Sequence, residues 1–264
     1  QLKQLDLLQQ SPPKGLRSNL IFTLADDNVG VLPQLATGSL HKIMQELRAS
    51  GSSGFYTRYW TVGDLLPTVH YLAKASWDTS VNPESAYTDL IKYTAGEQSV
   101  QPALKAFAII EDITKGLDNY GLGFGFPVPS MMNKHYNAGG LSDAIKADHE
   151  RYRQALALMT TAHAASDPGG RTFLNYLVAR LKFAVSYLDA AEAFGAAHTA
   201  EKADDTVEAV RQIDKAEIGI REALQVWADV SEDHGDLGAI ALMNKYCYQP
   251  ISDKRRELHA LVAK

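Results

Sequence analysis

Apolar residues follow two rhythms along this chain: short runs near the start, then helical spacing over the rest. Leu2, Leu5, Leu7 and Leu8 make the stretch to Gln10 helical in pattern, and Ser11-Pro12-Pro13 stops it because proline lacks an amide donor. Asn19-Leu20-Ile21-Phe22-Thr23-Leu24-Ala25 is a short apolar run, and its length and flanks predict a buried strand. The polar loop Asp26-Asp27-Asn28-Val29-Gly30 follows. From about Ser39 to Ala49, Leu40, Ile43, Met44 and Leu47 form a helical stripe with Ser39 as the expected N-cap. Gly51-Ser52-Ser53-Gly54 breaks the chain, and Phe55-Tyr56-Thr57-Arg58-Tyr59-Trp60 predicts a second strand, since aromatics and threonine suit a pleated surface. After Gly63-Asp64, residues Leu65, Leu66, Val69, Leu72 and Ala73 predict the buried side of another helix.

Alternating elements of this kind imply parallel strands joined by crossover helices. Two parallel strands cannot cover both of their own faces, so further strands are expected from upstream sequence. From about residue 83 the pattern is almost wholly helical. Asn82 caps a helix that opens with Pro83, and a second runs from about Val100 to Tyr120. Gly121 to Gly140 reads as irregular. Longer helices are predicted near 141–166, 170–198 and 204–231, with Asp233-His234-Gly235 ending the last and shorter helices closing the chain. Long helices with short connections suggest an antiparallel bundle. The expected fold is therefore mainly α: the last two βα units of a (β/α)8 barrel in residues 1–80, then a helical bundle in 81–264. The start at Gln1, with no initiator methionine or signal peptide, fits a processed or incomplete product.

Composition narrows the function classes. Of 264 residues 45% are hydrophobic and 22% charged, as in a folded globular chain. The net charge of −5 offers no basic face for nucleic acid. Lys254-Arg255-Arg256 lies between Asp253 and Glu257, which reads as a solvated helix face. The sole cysteine, Cys247, excludes an internal disulfide but leaves secreted, periplasmic and cytoplasmic locations open. No stretch approaches the roughly 18 apolar residues of a membrane span.

In parallel barrels the reactive groups stand at the carboxyl ends of the strands. Asp26 and Asp27 follow the first strand, and a carboxylate there can act as acid or base, or hold sugar hydroxyls. Successive residues of an extended chain face opposite ways, so one of the two at most faces the axis. Arg58 offers a planar fork for a carboxylate or hydroxyl, Tyr59 and Trp60 can stack on a sugar ring, and Asp64 lies just beyond. His135 lies in the loop from Phe124 to Tyr136, a candidate wall or lid. Each has a structural alternative: turn or cap for the aspartates, barrel ion pair for Arg58, core for Tyr59 and Trp60, packing between bundle and barrel for the loop. The eight histidines are scattered without metal-ligand spacing, so neither metal nor cofactor is expected. There is no GxSxG elbow, Walker loop or GxGxxG, and Gly121-Leu122-Gly123-Phe124-Gly125 lacks a strand before it.

The segment Gly54 to Leu90 (GFYTRYWTVGDLLPTVHYLAKASWDTSVNPESAYTDL) resembles the end of the catalytic barrel in large bacterial glycoside hydrolases of the α-glucuronidase and hexosaminidase type. In those enzymes the last strand is followed by a Gly-Asp turn, a helix ending in Trp-Asp, and a proline-initiated helix. Gly63, Asp64, Trp77, Asp78 and Pro83 match that order. Arg171 to Ala190 and Asp236 to Pro250 are similar to the helical carboxy-terminal domain of such families. The resemblance implies a carbohydrate substrate, with the principal catalytic acids on strands upstream. Asp26, Asp27, Arg58 and Trp60 are then subsite candidates, and the helical region braces the barrel or supplies a subsite wall or homo-oligomer contact. The alternative is a non-catalytic helical module that binds a protein or glycan.

Overall fold

The computed structural model describes residues 15–24, 31–58, 63–117 and 128–262. The described chain is mainly α. Strand β1 (Asn19–Thr23), helix α1 (Thr37–Ser50), strand β2 (Gly54–Arg58) and helix α2 (Leu66–Ala75) come first. Then follow α3 (Pro83–Ala95), α4 (Glu97–Leu117), α5 (Met131–Ala138), α6 (Asp143–Ala164), α7 (Arg171–Lys202) and α8 (Thr206–Ala228). Helix α9 (His234–Met243) runs through a π-helical turn (Asn244–Tyr248) into α10 (Gln249–Val262).

The expected strands form and pair in parallel, Asn19 opposite Gly54 through Thr23 opposite Arg58. The Leu24 amide extends the ladder by donating to the Arg58 carbonyl at 3.0 Å. Among the described residues the sheet has these two strands, and no barrel is closed. One sheet face is covered: Leu20, Phe22 and Phe55 pack against a core of Leu24, Leu40, Met44, Leu47, Tyr71 and Leu72. Phe22 and Phe55 stack at 5.4 Å. A second, larger core is built from α3 to α10, with Val31, Leu32 and Leu35 of the β1–α1 connection inserted into it.

Four sequence expectations need correction. Helix α1 begins at Thr37, before Ser39, and has no side-chain cap of its own. Its first-turn amide at Gly38 donates instead to Glu111 Oε2 on α4 at 3.3 Å, so a distant carboxylate replaces the local cap. Helix α2 buries Thr68, Tyr71, Leu72 and Ala75, leaving Leu66, Val69 and Ala73 exposed. The hydroxyl pair Thr37–Thr68 at 2.7 Å and the bond between Tyr71 Oη and His41 at 2.7 Å hold that face inward. The stretch expected to be irregular up to Gly140 contains α5, which buries Met131, Met132 and His135. Asp233 opens α9 as its N-cap, accepting from the Asp236 amide, where the triplet around His234 was expected to end a helix.

Candidate functional site

Among the described residues, the face of the sheet away from α1 and α2 is uncovered. Side chains alternate along a strand, so Asn19, Ile21 and Thr23 share that face with Gly54, Tyr56 and Arg58. Ile21 and Tyr56 stand opposite each other, 71% and 63% exposed. Arg58 closes the row at the carboxyl end of β2, opposite Thr23. That face therefore carries an apolar pair at its middle, with Thr23 and Arg58 at its carboxyl end.

The other candidates fall elsewhere. Asp26, Asp27, Tyr59 and Trp60 lie outside the described residues. Asp64 is buried and faces the helices, not the uncovered sheet. Both its oxygens accept from Arg180 of α7: Nε at 2.9 and 3.1 Å and Nη2 at 2.9 Å. His135 is buried against α7, its Nε2 3.2 Å from Tyr187 Oη. Burial pushes the Tyr187 hydroxyl well above the ordinary tyrosine range, so Tyr187 keeps its proton in that contact.

Sequence reading passed over Arg180, the hub of the buried polar network. Its guanidinium carbon sits 3.5 Å from the Trp227 ring centroid and 4.9 Å from that of Phe183. Nη2 also donates to the Val31 carbonyl at 2.5 Å. Behind it, Trp227 Nε1 and Tyr176 Oη both donate to Asp236 Oδ1 at 3.0 Å. Burial, and then the Asp64 charge, raise the Tyr176 hydroxyl far above its usual range, so it remains a donor. A cavity of about 20 Å3 lies beside Arg180, lined by Gln34 and Asp64 from the two βα connections and by Phe107 and Met159 from the bundle. That is room for about one water molecule.

Among the described residues no group of three histidine, cysteine or acidic side chains is arranged to hold a metal, and no helix is long and apolar enough to cross a membrane. Comparison with protein-family models, with curated proteins and with solved structures gave no match.

Proposed function

We propose that β1–α1–β2–α2 closes a (β/α)8 glycoside hydrolase barrel whose sugar site lies over the uncovered sheet face, with the helices after residue 80 bracing it. One observation carries this reading: two parallel strands covered by helices on one face, with Ile21, Tyr56 and Arg58 on the other. Parallel sheets are normally covered on both faces, so such a face calls for further strands curving over it. Arg58, at the carboxyl rim, is assigned to substrate hydroxyls or a substrate carboxylate, with Tyr59, Trp60 and one of Asp26 and Asp27 beside it in sequence. Asp64 and His135 are assigned to positioning the scaffold, because Arg180 and Tyr187 occupy them. The proton donor and its partner carboxylate belong to the additional strands.

The test is turnover of a panel of aryl glycosides by this chain alone and by a chain extended upstream with further βα units. The extended protein is expected to hydrolyse at least one glycoside, and its Arg58→Ala variant to bind it more weakly. Hydrolysis by residues 1–264 alone, or an inactive extended protein, contradicts the reading.

A further inference from the structure

We infer that Arg180 is a positioning residue that sets both βα connections at the carboxyl ends of β1 and β2, and so shapes the proposed site from outside the barrel. The inference rests on the barrel reading only for the chemistry performed there. Val31 is the first described residue after the segment that carries Asp26 and Asp27. Asp64 comes shortly after the segment that carries Tyr59 and Trp60. One guanidinium grips both: Nη2 holds the Val31 carbonyl and one Asp64 oxygen, and Nε holds the carboxylate.

The grip has a fixed geometry. The guanidinium is planar and lies against the Trp227 ring, so its plane is set by the bundle. Arg180 is 1% exposed and Asp64 6%, which leaves bulk water little access to either partner. The helices add two ties to the same connection. Tyr152 Oη of α6 donates to the Pro33 carbonyl at 2.8 Å, and the Leu35 amide donates to Thr114 Oγ1 of α4 at 3.0 Å. These secure only the first connection; Arg180 links it to the second. Arg180 Nη1 is buried without a hydrogen-bond partner, and its side chain borders the cavity shared by Gln34 and Asp64. A residue serving core packing alone would gain nothing from a desolvated cation with a donor left over. Joining two loops through one rigid fork does explain its presence.

The test separates positioning from packing. Arg180→Met leaves Asp64 as a buried unpaired charge and is expected to unfold readily. The double variant Arg180→Met with Asp64→Leu removes both charges and is expected to melt within a few degrees of the parent. Amide hydrogen exchange is then compared by mass spectrometry. In the double variant, peptides covering 31–36 and 63–66 are expected to exchange at least about tenfold faster, with α8 unchanged. In the extended enzyme the same variant is expected to lose about 10- to 100-fold in kcat/KM at a parental melting temperature, the scale of misplaced catalytic groups. Parental exchange in both peptides overturns the inference, as does faster exchange spread equally through α8. If the extended enzyme hydrolyses no glycoside, the barrel chemistry fails, while hydrogen exchange still decides the role of Arg180.

Discussion

Gly195→Ala and Gly219→Ala are the same change inside two long helices, α7 and α8, and they are expected to move stability in opposite directions. Removing a helix-interior glycine favours the helix by about 1 kcal/mol in either case. The surroundings separate them. A Cβ on Gly219 would meet Ala190 Cβ at 3.3 Å and the Ser186 carbonyl oxygen at 3.4 Å, contacts that a slight shift relieves. A Cβ on Gly195 would lie 2.0 Å from Gly140 N and 2.5 Å from Gly140 Cα. Those are main-chain atoms of the turn between α5 and α6, where Gly139 and Gly140 both have positive φ. Unstrained carbon contacts lie near about 3.5–4.0 Å, so the whole turn has to retreat. Retreat breaks the bond from the Leu141 amide to Glu192 and the one from Thr199 Oγ1 to the Gly139 carbonyl. Overpacking costs about 1–3 kcal/mol. A charged hydrogen bond adds roughly 1.5–3 kcal/mol and a neutral one about 0.5–1.5 kcal/mol. Against the helix gain of about 1 kcal/mol, the net loss is roughly 2–6.5 kcal/mol. At about 2–4 °C per kcal/mol, Gly195→Ala is expected to lower Tm by roughly 4–26 °C. Gly219→Ala should melt at or slightly above the parent. Thermal unfolding followed by circular dichroism decides it, and a Gly195→Ala melting point at or above that of Gly219→Ala refutes the reasoning.

Asp236→Ala removes the shared acceptor of Tyr176 and Trp227, leaving two buried donors unpaired at the α7–α9 junction. The expected cost is about 3–5 kcal/mol, read as a lower urea midpoint at unchanged slope; a parental midpoint counts against it. Asp214 on α8 has its pKa lowered: burial pushes it up, but hydrogen bonds from His259 and Arg255 on α10 outweigh that. Its folded value lies below its unfolded one, so its contribution is present above the ordinary carboxylate pKa of about 3.9 and is lost as pH falls through the folded value. Asp214→Asn is therefore expected to flatten the stability profile below about pH 4, and superimposable acid limbs for variant and parent argue against that assignment.

The parallel pair was legible because short apolar runs with a helical stripe between them admit few arrangements. Periodicity also marked the long helices, since α6, α7 and α8 each bury a continuous stripe. What escaped was set by distant partners. The start of α1 could not be read because the Gly38 amide is satisfied from α4, 73 residues away. Helix α5 hid in a stretch dense in glycine and proline, and burial of Met131, Met132 and His135 overrides that local signal.

Arg180 marks the boundary between the two cases. Leu177, Arg180, Ala184 and Tyr187 fall on one face of α7 at helical spacing, so the pattern alone puts a cation among core residues. A buried cation requires an anion, and that requirement was readable. Which anion was not: Asp64 lies 116 residues earlier, and a carboxylate just past a strand end reads more naturally as a substrate ligand. Asp64 drew notice for its position after β2, and that position is also why α7 reaches it. A helix braced across the carboxyl ends of parallel strands finds there the carboxylates and carbonyls that a guanidinium can hold. The scaffold thus takes up Asp64, while Arg58 stands opposite Thr23 on the sheet face away from α1 and α2.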